Sequence, residues 1–297
     1  MAVESLISWC DGTLNWYIGC TEVAPACLNC YAAKFAKRTG KADWGKDGTR
    51  TLVKSTESQG RQLAKLARES GHKKIAFVSS MSDIFEDDKT FQGQWLNHKK
   101  ETIQMTFGEQ RERCFKLIDE HPEIHFLLLT KRPQNILKYV PWRPGGTDLM
   151  PGLAHPKYRK NVSYGTSAGT QKTWNTKVKQ LMLVRDICPS TFVSCEPMLE
   201  EVGINGHGDY MPDVIFCGGE SAGKDSVRPM DLTWAESLHD QCQYNGRVMF
   251  HFKQLGSYAT HGGEAMTYKH PKGEDPSEWP KWLQKSQEVP RHWRARL

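Results

Sequence analysis

Three cysteines close to the start of the chain have the spacing of a metal-binding loop. Cys20, Cys27 and Cys30 follow a C-x6-C-x2-C pattern within residues 19–32. Three thiolates from one loop leave a four-coordinate metal one ligand short, so a structural zinc ion would need a fourth ligand, Cys10 or a histidine. An iron–sulfur cluster can instead keep one iron open to a substrate or cofactor. The spacing alone therefore leaves both an enzyme and a zinc-stabilised binding protein open.

Polar side chains follow six short apolar runs that have the length and composition of buried strands. The runs cover residues 75–80, 124–130, 161–165, 190–195, 213–217 and 247–252. The polar groups that follow them lie at 79–83, 130–133, 164–167, 194–197, 218–221 and 253–254. Since the active site of a β/α barrel lies at the carboxyl ends of its strands, we expect these groups to meet at one rim.

Helical patterns fill the gaps between these runs, at residues 56–69, 93–120, 170–187 and 232–243, with a short helix after Pro133. Strands that alternate with helices predict parallel β-α units. Six or seven units predict an α/β fold with a single partial or complete TIM-like (β/α) barrel over residues 1–256. Residues 141–159 are rich in Pro and Gly and predict a loop insertion. The extension 257–297 loses the alternation and is expected to pack on the barrel.

Four side chains at the predicted strand ends are candidates for chemistry. Two glycines allow close backbone approach to a ligand, so Glu220, after Gly218 and Gly219, is a candidate for binding an ammonium or hydroxyl group. Lys131 and Arg132 are candidates for holding a phosphate or carboxylate. Glu196 precedes Pro197 at another strand end. For each of these groups taken alone, the alternative is an ordinary solvated or helix-capping residue.

The composition predicts a cytoplasmic protein that does not enter a membrane. No apolar run approaches the roughly 20 residues that cross a bilayer, and the first residues lack the features of a signal peptide. Nine cysteines in 297 residues fit metal ligation and core packing better than disulfides. The net charge of +6 permits a nucleic-acid partner but does not require one.

An ordered set of motifs resembles the radical SAM superfamily, whose usual spacing is C-x3-C-x2-C and of which this loop is a variant. More closely, the chain resembles a phage and bacterial family of three-cysteine, radical-SAM-like proteins. The matching pieces are Trp9, Asn15, GC at 19–20, PACLNCYA at 25–32, SMSD at 80–83, LTKRP at 129–133, VSCEP at 193–197, GGES at 218–221, RPM at 228–230 and FKQ at 252–254 with Gly256. Cys10 and Trp16 depart from it, standing where a threonine and a proline are expected. Cys10 is expected at the end of the first strand.

The resemblance implies a [4Fe-4S] cluster on Cys20, Cys27 and Cys30, with S-adenosylmethionine (SAM) bound at the open iron. An external one-electron reductant would then drive SAM cleavage to a 5′-deoxyadenosyl radical. The residues expected to contact SAM are Tyr31 near the adenine and Ser80, Ser82, Asp83, Glu196, Gly218, Gly219 and Glu220. The expected catalytic residues are Lys131, Glu196 and Cys195, the last as a hydrogen donor; the alternative for Cys195 is core packing.

The expected substrate is a nucleic-acid base, a modified pyrimidine in phage DNA. Residues 279–296 support this expectation because basic residues alternate there with tryptophans, a pattern that suits phosphate contact and base stacking. The alternative is that these tryptophans fill the barrel. Two other functions stay open: a radical SAM lyase that repairs damaged DNA, and a non-catalytic, zinc-stabilised nucleic-acid-binding protein.

Overall fold

A curled sheet of seven parallel strands forms the centre of the protein. The computed structural model describes residues 4–87, 94–96, 102–104, 106–143, 146–147, 150–151, 155–204, 210–221 and 226–297. The strands are β1 (Gly12–Leu14), β2 (Lys74–Val78), β3 (Ile124–Thr130), β4 (Val162–Ser167), β5 (Ser190–Cys195), β6 (Val214–Gly218) and β7 (Met249–Gln254). Their order in the sheet is their order in the chain. The sheet forms a half-barrel, which confirms the predicted partial β/α barrel.

The helices that accompany these strands are α1 (Tyr31–Thr39), α2 (Thr56–Ser70), α3 (Phe107–Glu120), α4 (Ile136–Tyr139), α5 (Gln171–Met182) and α6 (Leu232–Asn245). Single turns of 3-10 helix lie at Pro25–Cys27, Pro133–Asn135, Arg185–Ile187, Pro276–Glu278 and Arg291–Arg294.

Shorter strands form small sheets beside the half-barrel. One sheet contains Tyr17–Ile18, Arg50–Leu52, Gln94–Leu96 and Thr102–Gln104, and another contains Met230–Asp231, Ala259–His261 and Glu264–Ala265. Two short pairs, Trp142–Arg143 with His155–Pro156 and Gly146–Thr147 with Met150–Pro151, lie in the predicted loop insertion.

Two apolar cores bury both faces of the central sheet, which explains why its strands are continuous apolar runs. The larger core lies between the sheet and its helices and includes Phe126 and Trp174. The smaller core fills the concave face and includes Phe77, Phe192 and Phe216. Successive side chains of a strand point to opposite faces, so β2, β3, β5 and β6 each supply both cores.

Two predicted boundaries are wrong. The helix predicted over residues 93–120 begins only at Phe107, where Thr106 and Glu109 form a capping box, and the described residues before it are in strands. Residues 93, 97–101 and 105 of that prediction lie outside the described residues. Cys10, predicted to end the first strand, precedes β1.

The C-terminal extension runs along β7 and then crosses the amino ends of the other central strands. Phe252 of β7 donates a backbone hydrogen bond to Ser286, and Lys73, next to β2, donates one to Ala295. Between these two contacts Trp293 enters the concave core, is completely buried, and donates its indole N–H to Ser190 Oγ at 3.0 Å. The extension thus bridges the two sides of the open sheet.

In the described ranges, no helix combines the length and the apolar character that crossing a membrane requires.

Candidate functional site

A cavity of about 370 Å³ lies at the carboxyl ends of the central strands. Every strand from β2 to β7 contributes polar groups to it. They are Ser79, Ser80, Ser82 and Asp83 after β2, Thr130 and Lys131 from β3, Ser167 of β4, Ser194 and Glu196 from β5, Gly219 and Glu220 after β6, and Lys253 and Gln254 of β7. The six groups predicted to meet at one rim do so, because parallel strands end at the same edge.

All three cysteines of the loop line this cavity. Cys27 is buried, Cys20 and Cys30 are partly exposed, and none of them forms a disulfide. The turn Pro25–Cys27 begins at a proline, which suits a first helical position. The Cys30 N–H then donates to Cys27 O at 3.1 Å, and Cys30 is the N-cap of α1. This hydrogen bond brings the backbones of the last two cysteines close together at the start of α1.

Cys10 does not line the cavity with these thiols. It packs in the concave core, 4% exposed, with its Sγ 3.4 Å from Ser5 Oγ. Burial raises the pKa of the Cys10 thiol to about 12. The structure therefore does not bring Cys10 to the loop as a fourth ligand.

A buried network of charges anchors the start of the cysteine loop. Asp83 accepts hydrogen bonds from Thr130 Oγ1 at 2.7 Å and from Arg132 Nη1 at 2.8 Å, which ties the end of β2 to the end of β3. Arg132 Nη2 donates to the carbonyl oxygen of Thr21, the residue after Cys20, at 2.9 Å. Asp83 is thus fully engaged within the protein.

Glu86 and Arg50 extend this network from the other side of Thr21. Arg50 Nη2 lies 2.9 Å from Glu86 Oε1 and donates to Thr21 Oγ1 at 3.0 Å, and Thr21 Oγ1 also donates to Glu86. Burial and the carboxylates of Glu86 and Asp83 raise the pKa of the Cys20 thiol well above its usual range, outweighing Arg132.

Glu220 and Arg228 anchor the other half of the loop. Asn29 Nδ2 donates to Glu220 Oε2 at 2.8 Å, and Arg228 Nη1 donates to the carbonyl oxygen of Pro25 at 2.9 Å. Glu220 also pairs with the Arg228 guanidinium. Burial alone would raise the pKa of Glu220, but the hydrogen bonds from Arg228 and Asn29 and the Arg228 charge hold it below its usual range. Both oxygens of Glu220 therefore already have protein partners.

The glycines before Glu220 are required by chain packing. A Cβ on Gly219 would lie 2.1 Å from Leu255 O, and one on Gly218 would lie 3.2 Å from both Gln254 O and Glu196 Oε1. The two glycines were predicted to allow close approach of a ligand. The structure shows instead that they allow close packing against other parts of the chain, mainly the residues at the end of β7 and just after it. Gly219 does line the cavity, whereas Gly218 is not among its lining residues.

The segment after β2 carries two buried hydroxyls without hydrogen-bond partners. Ser79 has φ +62°, the one positive φ of a residue other than Gly in the described ranges, and it is 4% exposed. Ser79 Oγ and Ser82 Oγ both line the cavity and have no partner among the described residues. Asn15 holds the segment by donating to Ser80 Oγ at 2.9 Å and accepting from Met81 N at 2.7 Å. The two buried hydroxyls beside the cavity thus lack a partner within the described chain.

Tyr31 stands at the mouth of the cavity with 54% of its surface exposed. Its hydroxyl donates to the carbonyl oxygen of Ser80 at 2.5 Å, which fixes the ring against the segment after β2.

Lys131 and Glu196, two of the predicted catalytic residues, both line the cavity. Glu196 Oε1 lies 3.4 Å from Lys253 Nζ, and Glu196 Oε2 accepts from Ser194 Oγ at 3.3 Å. Lys177 on α5, which was not among the predicted site residues, lies close enough to Lys131 to feel its charge. Burial, followed by the charge of Lys131, lowers the pKa of Lys177 to about 8. Lys177 Nζ has no hydrogen-bond partner in the described part of the chain.

Cys195, the third predicted catalytic residue, is not brought to the cavity. It is completely buried in the core under the helices, and its Sγ–H donates to Ala168 O at 3.2 Å. Side chains alternate along β5, so Ser194 lines the cavity while Cys195 points to the other face. The geometry supports packing for Cys195 rather than hydrogen donation.

The chain matches a family model described as a protein of unknown function (DUF5131) over residues 4–279, nearly its whole length. The chain belongs to this family. Neither the curated proteins nor the solved structures include a match to the chain. The family model spans the cysteine loop and every strand that lines the cavity, so the site described above lies within the family domain.

The side chains at the cavity are of the type that holds an iron–sulfur cluster, since such clusters are bound by cysteine thiolates. Three free thiols come from one loop, and the two unpartnered hydroxyls beside them can bind polar groups of a cofactor. As the thiols stand in the described chain, no three Cys, His, Asp or Glu side chains converge as a metal-binding group.

Sequence reasoning missed the residues that hold the loop in position. Asn29, Arg50 and Glu86 act through partners 191, 36 and 65 positions away in the chain: Glu220, Glu86 and Thr21. No local pattern signals such pairs. The one available signal was chemical: Asn29 lies between Cys27 and Cys30, where a polar side chain next to the thiols needs a partner.

Proposed function

We propose that this protein is a radical SAM enzyme whose [4Fe-4S] cluster is held by Cys20, Cys27 and Cys30 and whose substrate is a nucleic-acid base, a modified pyrimidine in phage DNA. One observation supports the proposal most: three thiols of one loop line a cavity at the carboxyl ends of a parallel half-barrel. When bound, the cluster and SAM supply a carbon radical that removes hydrogen from an unactivated carbon.

The chain positions the thiols through contacts that reach across the barrel. Arg132 and Arg50 hold Thr21 beside Cys20, while Arg228 and Asn29 hold the loop between Cys20 and Cys30. Arg132 follows β3, whereas Arg50 lies in one of the small sheets. Glu220, the partner of Asn29 and Arg228, follows β6. The central sheet and that small sheet together therefore set the loop position. An anchored loop loses less conformational entropy when its thiols come together on a cofactor.

Polar groups around the thiols are suited to bind SAM. The free hydroxyls of Ser79 and Ser82 can accept from its ammonium or donate to its carboxylate, and Tyr31 offers an exposed ring for the adenine. Ser80 and Asp83 shape this segment, since Ser80 pairs with Asn15 and Asp83 with Arg132. Glu220 contributes by holding the loop.

Lys131 and Glu196 are proposed to act on the substrate. The Lys131 ammonium can hold an anionic part of the substrate, and the Glu196 carboxylate can hold or move a proton at Oε2, with Lys253 balancing its charge. Both come from rigid strand ends, which favours precise positioning.

Anaerobic reconstitution with iron and sulfide tests the proposal. We expect about four irons per chain, iron–sulfur absorbance, and 5′-deoxyadenosine once SAM and a one-electron reductant are added. Ala at Cys20, Cys27 or Cys30 should abolish iron binding and SAM cleavage. Cys10→Ala is the matched control, because Cys10 lies outside the cavity, and it should retain both.

Two results would overturn the proposal. Stoichiometric zinc without iron in anaerobically purified protein would support the zinc-stabilised binding protein, and iron loading without 5′-deoxyadenosine would exclude SAM cleavage. If SAM cleavage is found, turnover of lesion-containing DNA but not of normal or hydroxymethylated DNA would assign repair in place of base modification.

A further inference from the structure

Exposed basic residues form one surface next to the cysteine loop. Residues 31–47 contain five Lys or Arg and two Asp, a net charge of +3 in a chain whose total is +6. Lys34, Lys37 and Arg38 are exposed and follow the i, i+3, i+4 spacing of one helix face, and Lys41 is exposed just beyond the end of α1. We call these four residues the basic surface.

The cations of the basic surface have no carboxylate partner within the ranges that the structure describes. Two exposed lysines on other helices differ in this respect: Lys65 lies 3.7 Å from Glu69, and Lys116 lies 3.9 Å from Glu120. Charges of one sign that lie close together without partners repel one another and attract a polyanion.

The basic surface begins at the mouth of the cavity. Tyr31 and Ala32, the first residues of α1, line the cavity, and Arg38 lies about 10 Å farther along the helix axis at 1.5 Å per residue. The half-exposed ring of Tyr31 is held by its hydrogen bond to Ser80. An aromatic ring beside a row of cations is the arrangement that binds a nucleic-acid strand without regard to its sequence.

Helix α1 is a rigid support for these charges. Ala32 and Ala36 are buried against Ile18, Val53 and Met81 in a small core of their own. On the exposed side, Arg38 and Lys41 lie 5.9 and 5.3 Å from the centre of the Phe35 ring. The cations are therefore arranged before any partner binds.

The tryptophans of the C-terminal extension are packed into the protein, with Trp282 partly buried against the larger core. Trp279 and Trp293 are 3% and 0% exposed, and their indole N–H groups donate to Gly273 O and Ser190 Oγ. Of the two segments where basic and aromatic residues alternate, 31–47 and 279–296, the first carries exposed charges on a helix whose first residues line the cavity.

We infer that the basic surface binds the phosphate backbone of a nucleic-acid strand while one base of that strand enters the cavity past Tyr31. The inference rests on the proposed function, because it assigns the substrate class of the same site. The cavity, at about 370 Å³, has the size of a small-ligand pocket and cannot admit a duplex. The base must therefore come from a single strand or be flipped out of a duplex.

Fluorescence anisotropy with a labelled 20-nucleotide single strand, and with the same strand in a duplex, tests the inference across a salt series. The test variant combines Lys34→Gln, Lys37→Gln and Arg38→Gln. The matched control combines Arg61→Gln, Lys65→Gln and Lys116→Gln, exposed positions on α2 and α3. For the single strand, three lost phosphate contacts should reduce the slope of log K against log salt by about 2. The control should keep the wild-type slope, and the single strand should bind more tightly than the duplex.

An unchanged slope in the test variant overturns the inference, as does an equal loss in the control. A wild-type protein that binds neither oligonucleotide but binds an acidic electron-transfer protein through these residues overturns it too. Reductive SAM cleavage without nucleic acid is measured on the same proteins. If the test variant still forms 5′-deoxyadenosine at the wild-type rate, SAM cleavage, the first part of the proposed function, stands whatever the binding result. If the wild type forms none, SAM cleavage fails separately from the inference about the basic surface.

Discussion

Asn29 joins the cysteine loop to the end of strand β6, because its side-chain amide donates to Glu220 Oε2 at 2.8 Å. The two residues lie 191 positions apart in the chain. Asn29 directly precedes Cys30 and lies two positions after Cys27, so a contact made at β6 helps to fix where both cysteines lie. The position of the loop is thus a property of the whole half-barrel.

Asn29→Ala should lower the free energy of unfolding by about 1 kcal/mol, since it removes a partly buried hydrogen bond to a carboxylate. It should also speed the loss of iron from reconstituted protein, because the loop is less well held. Urea unfolding and timed iron release to a chelator measure the two effects. Asn175→Ala, at an exposed position on α5, is the control and should change neither. Iron release at the wild-type rate would contradict the anchoring role of Asn29.

Glu220 should make the stability of the loop depend on pH. Its pKa in the folded protein is held below the usual range by Arg228 and Asn29, so its stabilising contribution is complete above the unfolded pKa of about 4.3. That contribution is lost as the pH falls through the folded pKa. The stability difference between wild type and Glu220→Gln, measured by urea unfolding, should shrink below about pH 4. A difference that stays constant down to pH 2 would refute the assignment.

Asp83→Asn should destabilise the protein by about 3 kcal/mol, because it leaves the buried Arg132 guanidinium without its closest counter-charge. Combining it with Arg132→Gln should cost less than the sum of the two single changes, since the two residues share one interaction. Chemical denaturation of the three variants gives the coupling. Asp240→Asn, 82% exposed, should stay within about 0.5 kcal/mol of wild type. Additive effects would show that the pair is not a unit.

Ser79→Gly should raise the free energy of unfolding by about 1 kcal/mol, because φ +62° is unfavourable for serine and free for glycine. Ser79→Ala keeps the unfavourable φ and should bring no such gain. Both variants remove the unpartnered hydroxyl, so both should bind SAM more weakly if that hydroxyl contacts it. Thermal unfolding and equilibrium dialysis separate the two effects. Equal SAM affinity in all three proteins would remove Ser79 from the SAM site.

His251 should destabilise the folded protein in acid. Burial is the main reason that its pKa falls to about 4, and its ring lies 2.9 Å from Ser8 Oγ and 3.0 Å from Glu288 O. In the unfolded state His251 binds a proton below about pH 6.5, whereas in the folded state it stays neutral until the pH approaches 4. Stability is complete above that pH, and His251 alone should remove about 3 kcal/mol by pH 4. His251→Gln should lose less stability over this window than wild type in urea unfolding. His72→Gln, at an exposed position, should match wild type, and a parallel decline in all three proteins would contradict the prediction.

Periodicity predicted the central strands well because each is buried on both faces. The runs predicted at 124–130 and 190–195 coincide with β3 and β5, and the other four differ from the observed strands by one or two residues at their ends. The predicted start of a helix at residue 93 was wrong. The apolar residues there have helical spacing, but no capping-box sequence precedes them. The capping box at Thr106 and Glu109 was the stronger local signal.

The amino-acid sequence by itself determined the cysteine spacing, the alternation of strands with helices, and the polar groups that follow each strand, because these depend on residues close together in the chain. Only the tertiary structure decided which groups meet. It buries Cys10, Cys195 and Trp293, joins Asn29 to Glu220, and leaves the cations after Cys30 exposed at the cavity. The physical reason is that burial and long-range pairing depend on which faces of distant elements pack together, and no local pattern records that choice.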